Sequence, residues 1–282
     1  MTRDVETGPV PSEDAASGAV QAGAVPLGVA ATVVLLRDSA EGPEVLLLER
    51  PRHRGSFAGA WVFPGGGVDP DDRLPTDAAA PGGTGLVASA TVVPIGSVPT
   101  GLTRCPLDAA AAAEAVEQRA ARRAAVREVR EETGLEVDPT ALLATALWIP
   151  PASAPKRMRT WFYLAAAPTG PITLAEDEAI DYAWLRPEVA LERHASAALT
   201  LVGPTWVTLH GLQGHGSVAE IVEHFTQRGL AHYATRLGVT GRGPVLFWAG
   251  DAAYDDHALV EQSGGRHRLE IGQLPWAYSL SD

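Results

Sequence analysis

The run Gly28-Val29-Ala30-Ala31-Thr32-Val33-Val34-Leu35-Leu36 is mostly apolar, rich in β-branched residues and long enough to predict a buried strand. Turn-forming residues from Asp38 to Pro43 follow, and Glu44-Val45-Leu46-Leu47-Leu48 returns as its hairpin partner. Trp61-Val62-Phe63 reads as a short third strand that Pro64 and the glycines at 65, 66 and 67 are expected to stop. Leu107 to Thr133 is Ala-rich, with Asp108 suited to the N-cap and Gly134 to the position past the C-terminus. Ala121, Ala125 and Val129, four residues apart, give this helix one apolar stripe. Strands are predicted over Ala141–Trp148, Thr160–Ala166, Asp181–Leu185, Val245–Trp248 and His267–Ile271, and helices over Pro187–Leu199 and Ser217–Arg228. This order predicts an α/β (α+β) fold with a mixed sheet between helices, not a doubly wound parallel sheet.

The length of 282 residues suits one enlarged domain, or one domain with a small extension. Residues 1–25 carry no periodicity and are expected to form a disordered tail. An ordered domain over 26–230 and an extension over 231–282 packed against it are expected. Residues 70–107, rich in Pro, Gly, Thr and Ala with a strand-like run only from Gly85 to Ile95, mark an insertion of about 73–118. No apolar run reaches the roughly 20 residues that span a bilayer, and no signal peptide precedes the first strand. The single Cys105 forms no intramolecular disulfide, so a cytoplasmic location is expected. Lys and Arg total 22 against 34 Asp and Glu, a net charge of −12, which argues against a nucleic-acid polymer as partner. An anionic substrate would need local arginines and a divalent metal to overcome that field. The histidines lack a zinc-type H-E-x-x-H or C-x-x-C partner, and no G-x-S-x-G motif is present.

The chemistry concentrates in Arg127-Glu128-Val129-Arg130-Glu131-Glu132-Thr133-Gly134-Leu135. Glu128, Glu131 and Glu132 stand at i, i+3 and i+4 and share a helical face. Their mutual repulsion disappears if they hold a cation, and hard oxygen ligands favour Mg²⁺ or Mn²⁺ over zinc. Arg127 lies four residues before Glu131 and can orient it through an ion pair. A solvated acidic face is the alternative. Phe63-Pro64-Gly65-Gly66 upstream, where glycine lets backbone come close to a ligand, tips the reading toward metal.

These residues resemble the Nudix box: G, five residues, E, seven residues, then R-E-U-x-E-E-x-G-U, with U a bulky aliphatic. Residues 127–135 match its second half throughout. In its first half Gly66 is followed by Asp72 instead of Glu, and about 47 extra residues separate Asp72 from Arg127. Without them the acid position would fall on Arg119. The split box, with Glu44–Arg50, Phe57–Gly66, Val68-Asp69-Pro70, Trp148-Ile149-Pro150, Arg159–Phe162 and Trp184–Pro187, is similar to the Nudix hydrolase 19-type branch and acyl-CoA diphosphatases. Of that branch's coenzyme A motif, Pro51 stands at the Ser/Ala position and Gly55 at the second Arg, with Arg52 and Arg54 alongside.

The resemblance implies an α/β/α sandwich and a Mg²⁺-dependent (or Mn²⁺-dependent) enzyme cleaving a nucleoside diphosphate linked to another moiety. It names coenzyme A or an acyl-CoA first, and ADP-ribose, NADH or a dinucleotide next. Metal would be held by Gly66 through its carbonyl and by Glu128, Glu131 and Glu132. A further acid six residues before a Trp corresponds to Glu178, with Glu176, Asp177 and Asp181 nearby. Glu128 or Glu178 would act as general base, with Arg127 supporting. Arg50, Arg52, Arg54 and Arg159 would grip phosphate, with Lys156 and Arg157 in the same loop region. Trp61, Trp148 and Trp161 could stack on a base, although strand positions favour the core. The expected partner is a small nucleotide-type molecule, with no membrane and with a homodimer left open. A Nudix-fold binding or regulatory protein without turnover is the competing class.

Overall fold

In a computed structural model the described residues are 27–53, 57–74, 106–175 and 177–281. The tail 1–25, the strand-like run 85–95, Arg54, Cys105, Glu176 and the side chain of Asp108 lie outside them. Strand β1 (Leu27–Ser39) turns tightly into β2 (Gly42–Glu49), which β3 (Trp61–Val62) joins at its far end. β3 stops before Pro64, as expected, while Gly65–Gly67 stay within the sheet. They form a strand of their own, β4, antiparallel to β1 with Ala31 opposite Gly66. The reason is steric: an added Cβ on Gly65 would lie 2.2 Å from the Ala31 carbonyl oxygen.

Helix α1 (Pro106–Thr133) crosses the sheet, and β5 (Leu143–Ile149), β6 (Arg157–Ala166) and β7 (Asp181–Leu185) follow. With β8 spanning Ala231–Ala234, the order β3-β2-β1-β6-β5-β8 has β1 parallel to β6 from Leu27 to Leu36, while β7 pairs with β2 and β4 with β1. The sheet is mixed. β8 lies parallel to β5. Because α1 begins at Pro106, the segment assigned to the insertion up to residue 118 includes three turns of this helix.

Alternation along β1 separates two cores. Ala31, Val33 and Leu35 face α1, where Ala121, Ala124, Ala125 and Val129 meet Trp161 and Tyr163. The helix's small alanines let it lie close to the sheet. Val34 and Leu36 face the other side, against α2 (Pro187–Ala195), α3 (Gly203–Gly211) and α4 (Val218–Arg228). The single helix predicted from 187 to 199 ends early, with Ala197 at φ +59, and α3 is an element the pattern did not reveal. Together α1 and α2–α4 sandwich the sheet.

The C-terminal part holds four strands where two were expected: β9 (Arg236–Thr240), β10 (Gly243–Phe247), β11 (Arg266–Glu270) and β12 (Ala277–Ser281), ordered β12-β11-β10-β9 and antiparallel throughout. Trp248 and Leu269 carry this second sheet into the core shared with α2–α4. Trp148 stacks on Tyr233 at 3.9 Å, and the fully buried Trp248 stands edge-on to both. Asp251 holds the excursion between β10 and β11, accepting from Arg268 Nε at 2.7 Å and Nη2 at 2.6 Å and from the His267 and Ala253 amides. No helix among the described residues is long and apolar enough to cross a membrane.

The Arg268–Asp251 pair is almost wholly out of water. Asp251→Ala would leave the guanidinium buried without its counter-charge and should lower unfolding free energy by roughly 3–5 kcal/mol. Urea denaturation followed by tryptophan fluorescence measures it. A loss well under 1 kcal/mol would mean that water reaches the pair.

Candidate active site

The last two turns of α1 hang over the β1–β4 pair. Val129 plugs the core between them, so Glu128 and Glu132, one turn apart, border the apolar layer and are only 9% and 8% exposed. Beneath them runs the glycine strand. The Gly65 amide donates to Glu132 Oε2 at 2.8 Å. Gly66 lies so close that an added Cβ would sit 2.3–2.6 Å from the Glu128 carboxylate. A glycine in this position can let a ligand come close. Here it admits the carboxylate.

Arg127 ties the neighbourhood together. Its Nη1 donates at 2.9 Å to both Glu128 Oε1 and Glu131 Oε2, and its Nη2 donates at 2.9 Å to the Gly67 carbonyl and to Asp72 Oδ2. Asp72 is itself buried in a 3-10 turn over Pro70–Asp72, where its carboxylate also accepts the Asp69 amide and its carbonyl accepts Arg123 Nε. The acid before the interruption therefore neutralises the arginine after it. The sequence showed Asp72 at the right distance from Gly66 but did not show this partnership. A shorter Asp serves because the 3-10 turn carries it to the guanidinium.

Glu178 reaches the site along the segment between β6 and β7. The Thr173 and Ala175 amides donate to the otherwise open carbonyls of Thr133 and Glu132 at the end of α1, and the Ile180 amide donates to Glu49 as β7 begins. Glu178 is thereby delivered between the helix end and β2. One carboxylate oxygen each from Glu128, Glu132 and Glu178 lies within 4.8 Å of the others. Glu131 is not part of this group; it is exposed and bound to Arg127. Asp181 is exposed and pairs with Glu49 across β7–β2.

The predicted cations divide. Arg50 follows β2, and its charge acts on Glu132; its Nε is buried with no hydrogen-bond partner among the described residues. Arg52 is engaged by the buried Glu49 at 2.9 Å. Arg159 is bound to Glu114 at 2.9 Å and Glu117 at 3.1 Å. Glu117 lies eleven residues before Glu128, or about 16 Å along the helix, so Arg159 joins α1 to β6 instead of joining the carboxylate group. Lys156 is exposed, and Arg157 opens β6 opposite Leu27. Trp148 and Trp161 are buried in the two cores, and Trp61 packs partly buried against one of them.

Burial pushes the Glu132 carboxyl up to about 8, against the Gly65 amide that favours its charged form. Burial also raises Glu128, opposed by Arg127 and reinforced by Glu178 and Glu131. Glu128 and Glu132, whose charge burial disfavours, together with the exposed Glu178 form a donor set that a hard divalent cation satisfies. The chemistry of the residues fits a metal.

The site thus consists of glutamates at a helix end packed on a glycine strand of a mixed sheet between helices. Residues 26–80 and 108–202 match the NUDIX domain, and the match breaks between the two segments where the box is split. The chain belongs to the NUDIX domain family and is a pyrophosphohydrolase by class, and hydrolases of this family generally use a divalent metal. No curated protein sequence matches it. Among solved structures it is similar to a NUDIX hydrolase from Alicyclobacillus acidocaldarius, 21% identical, covering 71% of this chain and 96% of that one with a TM-score of 0.53. A MutT NUDIX hydrolase from Burkholderia pseudomallei is 20% identical over 66% of this chain and 97% of that one, with a TM-score of 0.38. At such identity the first likeness is one of fold.

Gly66→Ala should displace Glu128 and weaken divalent-metal affinity by roughly 10–100-fold, while circular dichroism stays native. Titration calorimetry with Mn²⁺ reads it, and wild-type affinity would refute the close packing. A second expectation concerns pH. Without metal, folded Glu132 keeps its proton to about pH 8, whereas the unfolded chain releases it near its ordinary 4.5. The folded state binds more protons across that window, so stability falls as pH rises through it. Glu128 acts in the same direction. Metal-free protein should therefore unfold at lower urea at pH 8 than at pH 6, and Glu132→Gln should flatten the difference. An unchanged slope in that variant would contradict the assignment.

Proposed function

We propose that this protein is a Mg²⁺-dependent (or Mn²⁺-dependent) hydrolase of nucleoside diphosphates linked to another moiety, with coenzyme A or an acyl-CoA as the leading substrate. The observation that carries the reading is the meeting of Glu128, Glu132 and Glu178 within 4.8 Å over the Gly65–Gly66 strand. The substrate preference rests on the sequence around Glu44–Arg50 and Phe57–Gly66, and ADP-ribose and NADH are the nearest alternatives.

Glu128, Glu132 and Glu178 are the proposed metal ligands, with Gly66 contributing its carbonyl, while Glu131 is held outside the group by Arg127. The metal, when bound, would neutralise charge on the phosphoryl oxygens and make a water more acidic. Arg127 holds Glu128 in place through the 2.9 Å bond and is itself fixed by Asp72. Glu128 or Glu178 accepts the proton of the attacking water as its oxygen bonds to phosphorus. The phosphorus bond to the bridging oxygen breaks, and that oxygen leaves on the other phosphate. Arg50, whose Nε has no hydrogen-bond partner among the described residues and whose charge acts on Glu132, is the proposed cation for substrate phosphate. Arg52 remains a proposed contact, and Arg54, outside the described residues, is proposed on the sequence alone. Arg159 has the weaker claim because Glu114 and Glu117 occupy it.

Incubation with Mg²⁺ and a panel of coenzyme A, acetyl-CoA, ADP-ribose, NADH and nucleoside triphosphates, resolved by chromatography, should yield two phosphate-bearing products from one or more of them. Glu128→Gln should lower kcat by roughly 10²–10⁴-fold. Tight binding of one compound with turnover of none would overturn the enzymatic reading in favour of a regulatory one.

A further inference from the structure

The proposed metal site binds the diphosphate, but none of the residues discussed so far recognises what the diphosphate carries. An exposed apolar pair follows Glu178 closely along the chain. Ile180 and Tyr182 are 50% and 40% exposed, two and four residues after Glu178. Single exposed apolar residues are ordinary on any surface. This pair differs in where the sheet puts it.

Side chains alternate along a strand. In β7, Ala183 and Leu185 face the core of α2–α4, whereas Trp184 packs into the core beneath α1. Tyr182 therefore faces the α1 side, the side that carries the glutamates. In β2, Leu46 and Leu48 face that side too, and Tyr182 is the direct cross-strand partner of Leu48. Arg50 is two residues beyond Leu48, about 7 Å along the chain, and its charge acts on Glu132. One face of the β2–β7 ribbon thus runs from an exposed aromatic ring to an arginine and then to the carboxylates. Among the described residues, the Tyr182 ring meets no other aromatic side chain and its hydroxyl has no hydrogen-bond partner. A phenol left half in water on the working face is a stacking surface for a flat ring.

We infer that Tyr182, flanked by Ile180, is a specificity-determining residue that stacks on a planar heteroaromatic ring attached to the diphosphate. This places the base of a nucleotide on the outer strand β7, on the far side of Arg50 from the Gly65–Gly66 strand. The inference rests on the hydrolase reading above for the position of the diphosphate. Ring recognition by Tyr182 is a separate matter from turnover.

The test compares binding of AMP and ribose 5-phosphate to the full chain in Mg²⁺ by calorimetry, in wild type, Tyr182→Ala and Tyr182→Phe. AMP should bind wild type more tightly than ribose 5-phosphate. Tyr182→Ala should weaken AMP roughly tenfold, the scale of one lost base-stacking contact, with ribose 5-phosphate unchanged, and Tyr182→Phe should keep most of the affinity. With any nucleotide the enzyme turns over, Tyr182→Ala should raise KM and leave kcat within about twofold, since the contact is uniform between ground and transition state. Equal binding of the two ligands by wild type, or undiminished AMP affinity in Tyr182→Ala, would overturn the inference. Failure of every substrate to turn over would count against the hydrolase reading, and the AMP comparison would still decide the role of Tyr182.

Discussion

The approach of a carboxylate helix to a backbone with no side chains is the contact on which the site depends. Glu128 and Glu132 are buried because α1 lies close to the sheet, and it lies close because Ala121, Ala124 and Ala125 present only methyl groups to Val33, Leu35 and Trp161. The strand beneath yields in the same way: Gly66 leaves room for the Glu128 carboxylate, and Gly65 offers its amide to Glu132. Larger residues on either surface would lift the helix and return the glutamates to water. Their charge would then cost little, and their grip on a cation would fall.

Burial alone would leave these carboxylates loosely aimed. Arg127 gives direction by bonding to Glu128, Glu131 and the Gly67 carbonyl at once, and Asp72 balances its charge. This joins the two halves of a motif that the chain interrupts for tens of residues. Asp72 and Arg127 meet in space because β4 and α1 pack together, so the length of the intervening segment does not enter the geometry. The two sides of the sheet divide the work. The α1 side carries the carboxylates, Arg50 and Tyr182. The other side buries most of the large aromatic residues and anchors the C-terminal sheet through Trp248 and the Asp251–Arg268 pair.

Much of the framework was legible from periodicity. The apolar run at 28–36, the alanine stripe with its Gly134 stop and the short strand at 181–185 sit where their patterns put them, because each reflects local preference and a single buried face. The elements that escaped lack such a signal. β4 is three glycines whose pairing depends on contact with β1. α3, with Gly203 and Pro204 at its start, resembles a loop until Trp206, Val207 and Leu209 find the core. β9 and β12 carry exposed residues on short strands that only sheet pairing stabilises.

Sequence by itself determined the acidic helix, its register and its termination, since Glu128, Glu131 and Glu132 are related by helical geometry alone. The resemblance to the Nudix box also put Glu178 forward, through its spacing to Trp184. Only the tertiary structure decided which of these acids converge. Glu131, equal to its neighbours in sequence, turns to Arg127 and solvent, while Glu178 is drawn in by backbone bonds to the end of α1. It likewise separated Arg50 from Arg52 and Arg159, whose charges meet Glu49, Glu114 and Glu117. The physical reason is that ion pairing and burial depend on which surfaces pack together, and residues far apart along a chain record their own chemistry but not the partner that packing will bring.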